Sequence, residues 1–293
     1  MTAAIGGRIG AIGRLPGVRG VLSVKNAAVA GPAADGFDEL LIVFGNAPDG
    51  ASSIHHYMEG DRRVQERWML PETAEQEVKA GSDPQFVKWV LDGEIVADID
   101  GFLPRLRERL AAGVPAQQRD RKRMECYSSF LKHYLVARLH LREGRLLDAY
   151  SRIVGALHDW ACAVVYEHGL WPEPGLWEQV RRLNPGVYKL YEELARSPES
   201  LEERLQLALL ACEFSLVSKL EACCRPILDV IRSRERPWRL QELASHPDLA
   251  GADVEWALIL DRLVKKGLVR LIPPETDIEK EPIGSGEWKY ARA

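Results

Sequence analysis

Between Met124 and Tyr166 apolar residues recur at spacings of three and four, and the pattern breaks once, at Gly144. That period belongs to a helix with one buried stripe. A single break at a glycine gives two long helices that fold back on each other as the start of an antiparallel bundle. Leu147, Tyr150, Val154, Leu157, Ala161 and Val165 share one face of the second helix, which ends at His168-Gly169, where glycine supplies a left-handed cap. Beyond a Trp/Pro loop, the spacing predicts short helices over Leu176–Leu183 and Val187–Ala195. One or two more follow over Leu201–Ser233, with Pro226 marking a kink or break.

The residues before Gly113 follow another rule. Gly20–Val24 (GVLSV) and Asp38–Phe44 (DELLIVF) read as strands, the second largely buried. Ile54–Glu59 and Arg62–Met69 read as a hairpin turning at Glu59-Gly60-Asp61. Helices are expected from Pro71, over Phe86–Leu91 and over Phe102–Leu110, with a short strand at Glu94–Ala97. A third segment carries a short helix at Leu240–Ala244, a longer one at Asp253–Lys266, and strands at Leu268–Ile272 and Trp288–Ala291. That order is the order of a winged helix. The fold class is therefore α+β multidomain: a mixed domain over 1–114, a helical bundle over 115–234 and a winged helix over 235–293.

Composition narrows the function classes. The chain is 46% apolar and 28% charged with a net charge of −4, so nothing in the bulk numbers calls for nucleic acid or a membrane. No stretch approaches the roughly 18 apolar residues of a membrane span, and no signal-peptide core is present near the N-terminus, which predicts a cytoplasmic protein. The five cysteines include no C-x-x-C pair, so they read as buried reduced thiols.

Several phrases resemble one family, the nucleotidyltransferase-like proteins of Bacillus and its relatives. They are Phe37-Asp38 opening FDELLIVF, FVKWVLDGEIVAD at Phe86–Asp98, LDAYSRIVGALHDWA at Leu147–Ala161 and WEQVRRLNPGVYKLYEEL at Trp177–Leu194. The resemblance implies a domain of the DNA polymerase β superfamily, a helical substrate-binding-like domain and a winged helix. It also implies Mg²⁺ with a nucleoside triphosphate as the cofactor set. Nucleotidyl transfer uses two metal ions held by carboxylates. Members supply two from an Asp-x-Asp pair, because only positions two apart on a strand point the same way.

Only part of that pattern stands here. Asp38 matches the first carboxylate, and Leu40 occupies the second position. Glu39 is expected to face the other way, and Glu66 is the candidate third carboxylate. The Gly-Ser turn that holds the triphosphate should fall near Lys25 and Asn26, and it is not there. Asp38 is thus either a lone metal or nucleotide ligand, or a carboxylate that hydrogen-bonds at a strand start. Lys25 is either a phosphate contact or a solvated lysine.

Other signals are weaker. From Gln117 to Arg145 there are eight Lys or Arg against three Asp or Glu, so Arg121, Lys122 and Arg123 are candidate phosphate contacts beside the expected nucleotide cleft. The alternative is a solvated helix face. Arg152 and His158 are six positions apart and share no helix face, which favours an amphipathic helix over a ribonuclease pair. Trp171, Trp177, Tyr188 and Tyr191 either stack a base or bury a helix face. The last segment from Ile231 carries eleven basic and eleven acidic residues, and Asp253–Lys266 is acidic in its first half, which favours protein contact over DNA reading.

These features predict a protein that binds a nucleotide or a macromolecular partner through a degenerate metal motif. One alternative is an active metal-dependent transferase moving NMP through Asp38 and Glu66. The other is a DNA-binding regulator that uses the winged helix. Nucleic acid could also bind the basic stretch Arg119–Arg145. A homodimer is compatible with these readings.

Overall fold

The computed structural model describes residues 8–25, 31, 35–47, 53–81, 83–273 and 288–293, and the side chain of residue 9 is outside that description. The chain divides into two compact units, Met1–Val114 with Trp171–Gly175, and Pro115–Leu170 with Leu176–Ala293. Among the described residues no helix is long and apolar enough to cross a membrane.

The first unit is built on a five-stranded sheet of β1 (Gly20–Val24), β2 (Glu39–Phe44), β3 (Ile54–Glu59), β4 (Arg62–Met69) and β5 (Glu94–Asp98), in the order β3-β4-β2-β1-β5. Only β2 and β4 run parallel. The sequence explains the positions. Every residue of β1 and β2 is buried, as central strands covered on both faces require. β3 alternates exposed and half-buried residues and lies at an edge. Gly60, at φ 63°, turns the β3–β4 hairpin.

The two faces of this sheet differ. Leu22, Leu40, Ile42 and Phe44 lie buried with Phe86, Phe102, Leu103 and Leu106 of the helices α3 (Pro84–Asp92) and α4 (Phe102–Ala111). Leading into them, α2 (Pro71–Ala80) starts on a proline and stops at Gly81 in the left-handed region. On the other face Val21, Leu41, Val43, Val64 and Trp68 pack with Ile12 of the short helix α1 (Arg8–Ile12).

The second unit opens with the helical hairpin α5 (Ala116–Arg142) and α6 (Leu146–Glu167), turned at Gly144 with φ 71°. Next come α7 (Leu176–Leu183), α8 (Pro185–Arg196), α9 (Leu201–Cys223) and α10 (Arg225–Arg232). Asn184 caps α8, a Ser200–Glu203 capping box opens α9, and Pro226 stands in the first turn of α10 after the break at Cys224.

The last elements are β6 (Trp238–Arg239), α11 (Leu240–Ala244), α12 (Trp256–Lys265), β7 (Val269–Ile272) and β8 (Lys289–Arg292), with the strands in the order β6-β8-β7. They share the bundle's core. Ile259, Leu260 and Leu263 of α12 join one apolar cluster with Met124, Leu131 and Leu220. The backbone N–H of Glu255 donates to Ser128 Oγ at 2.7 Å. The chain therefore forms two compact bodies where the sequence pattern reads as three segments, because the apolar stripe of α12 is buried against the bundle.

Candidate functional site

The acid-bearing face of the first sheet is set by register. In the parallel β2–β4 pair Glu39 stands opposite Val64, and Leu41 opposite Glu66. Facing residues in paired strands share a side, so Glu39 and Glu66 project to the same face, two positions apart along the strands. Ser23 of β1 faces Leu41, and Tyr57 of β3 faces Val64, so both join them. The side chains that converge are therefore Ser23, Glu39, Tyr57 and Glu66.

This corrects the expected frame. Strand β2 begins at Glu39, and it is Glu39 that shares a face with Glu66. Leu40 points to the opposite face and is fully buried in the apolar layer. Asp38 precedes the strand. Its carboxylate accepts from the backbone N–H of Arg63 at 2.7 Å and lies 4.0 Å from that residue's guanidinium.

Both carboxylates on the face are 1% exposed, and each is satisfied by neighbours. Ser23 Oγ donates to Glu39 Oε1 at 2.5 Å, and Arg62 Nη1 donates to Glu39 Oε2 at 2.8 Å. Trp68 Nε1 donates to Glu66 Oε1 at 2.6 Å, and Arg8 Nε donates to Glu66 Oε2 at 2.9 Å. A buried carboxylate needs such partners, because an unpaired one loses its hydration without replacement. The hydrogen bond to Glu66 raises the Arg8 pKa above its ordinary value. Burial first, and then the charges of Glu66 and Glu59, push the Tyr57 hydroxyl well above its ordinary value, so it stays protonated at neutral pH. Arg8 also lies over the Tyr57 ring, 4.6 Å from its centroid.

The donor set does not fit a two-metal centre. That chemistry requires several carboxylates with free lone pairs. Here both acids already accept two hydrogen bonds, and each faces a guanidinium at ion-pair distance. Among the described residues no group of three or more His, Cys, Asp or Glu could hold a metal ion. What the arrangement offers instead is cations with outward-facing surface. Arg8 and Arg62 are about half exposed at 50% and 49%, and Arg63 is more so. Lys25, just past the end of β1, lies at the same end of the sheet as Arg62 and Arg63 and pairs with Glu94 at 3.0 Å. Asn26 lies outside the described residues.

Arg121, Lys122 and Arg123 lie on α5 of the second unit. The basic stretch there is largely neutralised in place. Arg121 and Lys122 pair with Glu125 at 3.1 and 3.2 Å, Arg123 with Asp120 and Glu167 at 3.7 Å, and Lys132 with Glu255. Arg121 also borders a cavity of about 320 Å³ with Asp120, Arg225, Asp229 and His246. Trp177 and Tyr191 stack on each other at 3.9 Å between centroids, while Trp171 belongs to the first unit, donating from Nε1 to Leu110 O at 3.2 Å. Arg152 and His158 are both exposed. Sequence reasoning passed over a second pair, His133 Nδ1 with Asp159 Oδ2 at 2.8 Å, which pins α5 to α6 with the His133 ring packed against Gly155.

It also passed over Arg8, Ser23, Tyr57 and Arg62. The one local signal was Glu39 itself, a carboxylate opening a strand of five apolar residues, which must find partners when the strand is buried.

Comparison with known proteins agrees with this architecture. Residues 15–119 match the family described as "Nucleotidyltransferase-like", and residues 121–219 match the "YgxA-like substrate binding domain". The crystal structure of a nucleotidyltransferase-like protein from Exiguobacterium sibiricum 255-15 superimposes with a TM-score of 0.74 at 28% identity, covering 97% of this chain and 96% of that one. The protein YgxA of Bacillus subtilis (strain 168) is 30% identical over 262 residues, which is 89% of this chain and 88% of that protein. A match of that extent means that the chain belongs to the YgxA-like family of nucleotidyltransferase-like proteins.

Proposed function

We propose that the first unit binds a nucleotide through its phosphates and does not transfer it. One observation carries this reading: Glu39 and Glu66, the two acids on the face where transfer chemistry would need metal ligands, are buried and neutralised by Arg62 and Arg8. Guanidinium groups recognise phosphate oxygens directly, in pairs of parallel hydrogen bonds. Arg62 and Arg63 supply such groups at one end of the sheet, and Lys25 adds an ammonium there. We read the final helices and strands as a winged helix used for protein contact, since Arg262 and Lys265 of its longer helix, with Lys266 at that helix's C-cap, border a cavity against α5 and α9.

The test is thermal unfolding with each nucleoside triphosphate, in EDTA and in Mg²⁺ or Mn²⁺. A ligand at one hundred times its Kd stabilises the folded state by about 2.7 kcal/mol. The expected result is a nucleotide-dependent rise that persists in EDTA and is lost in Lys25→Ala/Arg63→Ala. No rise with any nucleotide sinks this reading.

A second reading, a working transferase, is favoured by the shared face of Glu39 and Glu66. It needs Arg8 and Arg62 to withdraw and admit metal. Metal-dependent label transfer from an α-labelled triphosphate, abolished by Glu39→Gln, would establish it in place of the first.

A further inference from the structure

Helix α9 exposes a continuous apolar stripe. Leu207, Leu210, Phe214 and Val217 are 61%, 65%, 77% and 51% exposed, although all are large apolar side chains. Their spacing is three, four, three, which keeps them on one helix face over about 15 Å. It is also the spacing of a coiled-coil seam. The opposite face of α9 is already committed, with Leu205, Leu209, Cys212, Leu216 and Leu220 in the bundle core. A stripe of this kind is an interaction surface rather than a random scatter of exposed residues.

We propose that a second copy of this chain covers the stripe, with its own α9 running antiparallel about a two-fold axis. Two independent observations favour that occupant. The first is that the spacing reads the same in both directions. Antiparallel pairing sets Leu207 against Val217 and Leu210 against Phe214, and each contact is made twice, as an isologous interface requires. The small Ala211 and Ser218 flank the seam on one side and allow close approach.

The second observation is charge. The first turn of α9 is acidic, with Glu202 and Glu203 both exposed. Alongside its later turns, Arg262 and Lys265 of α12 and Lys266 at its C-cap border a cavity of about 120 Å³ with Glu213 and Val217. Antiparallel pairing lays the acidic turn of one copy beside the basic rim of the other, on the same flank of the seam, twice per dimer. Within one chain Lys265 pairs only with Asp261, across one helical turn at 2.8 Å, among the described residues. One like-charge approach, Glu203 to Glu221 of the other copy, is offset by Arg232, whose guanidinium lies 4.0 Å from Glu221.

Sedimentation equilibrium of the full chain across a wide concentration range tests this. The expected species is a dimer of the 32.9 kDa chain. Phe214→Glu sits at the centre of the seam and should raise the dimer Kd at least about 30-fold, as loss of a central aromatic anchor does. Its circular dichroism should stay unchanged, since the side chain is exposed in the single chain. Glu202→Lys and Lys265→Glu should each weaken the dimer, and the two together in one chain should restore it. A chain that stays monomeric overturns the proposal, and so does a Phe214→Glu variant that dimerises as tightly as the parent. A failure of the double charge reversal to restore association overturns the antiparallel arrangement. A monomer that captures a different acidic amphipathic helix on this stripe makes that helix the occupant and rejects the second copy.

Discussion

Replacing Arg62 by Met removes the guanidinium from Glu39 while keeping most of the aliphatic stem. Glu39, 1% exposed, then retains Ser23 as its hydrogen-bond donor. Removing one partner of a fully buried ion pair costs about 3–5 kcal/mol. Arg62 is half exposed, so water partly replaces its charge and the cost falls to about 1–3 kcal/mol. In a Glu39→Gln background the buried charge is gone, and the amide oxygen still accepts from Ser23. Arg62→Met should then cost less than about 0.5 kcal/mol, as an ordinary surface substitution does. The coupling between the two positions is therefore about 0.5–3 kcal/mol. Urea unfolding of the four proteins, followed by tryptophan fluorescence, measures it, because Trp68 reports on this face. A shift of about 3–6 °C in Tm per kcal/mol gives an independent check. If Arg62→Met costs the same in both backgrounds to within about 0.5 kcal/mol, the two residues are independent and the account of Glu39 as a compensated buried charge is wrong.

Further outcomes follow from other sites. Gly81→Ala should destabilise the first unit by more than about 3 kcal/mol and sharply lower soluble yield, because Gly81 has φ 58° and a Cβ there would lie 1.9 Å from the ring of Trp171, which is anchored to Leu110 O. Ser200→Ala removes both the N-cap acceptor of α9 and half of its capping box, and should cost about 1 kcal/mol by urea unfolding. Burial pushes the thiols of Cys223 and Cys212 up from 9.0 to about 11 and about 12. The folded chain then holds protons that the unfolded chain releases, so this stability is fully present below pH 9. It falls as pH rises from there through 11 and 12, and Tm should drop across that window. The same burial should make Cys212, Cys223 and Cys224 slow to react with a thiol reagent at pH 8 until the chain is unfolded. Fast labelling of all three in the native protein would contradict their placement in the core.

Much of the architecture is local and was legible residue by residue. The three-and-four spacing broken at Gly144 specifies α5 and α6, the Glu59-Gly60-Asp61 turn specifies the β3–β4 hairpin, and the proline after Leu70 marks the start of α2. Each rests on a short-range preference: helical period, turn chemistry, helix-start chemistry. The runs FDELLIVF and WEQVRRLNPGVYKLYEEL likewise carried the family, which needs no coordinates. The site was a different matter. In β2 both faces are buried, so apolar alternation gives no sign of which face holds the acids, and a shift of one residue exchanges Glu39 for Leu40. Only the parallel pairing of β2 with β4 placed Glu39 beside Glu66. Only the fold brought Arg8 to Glu66 across 58 positions and Arg62 to Glu39 across 23. The sequence alone therefore determined the elements and the family, since both depend on neighbours along the chain. Tertiary structure decided whether the acids are open ligands or closed ion pairs, because that depends on which distant charges share a buried face.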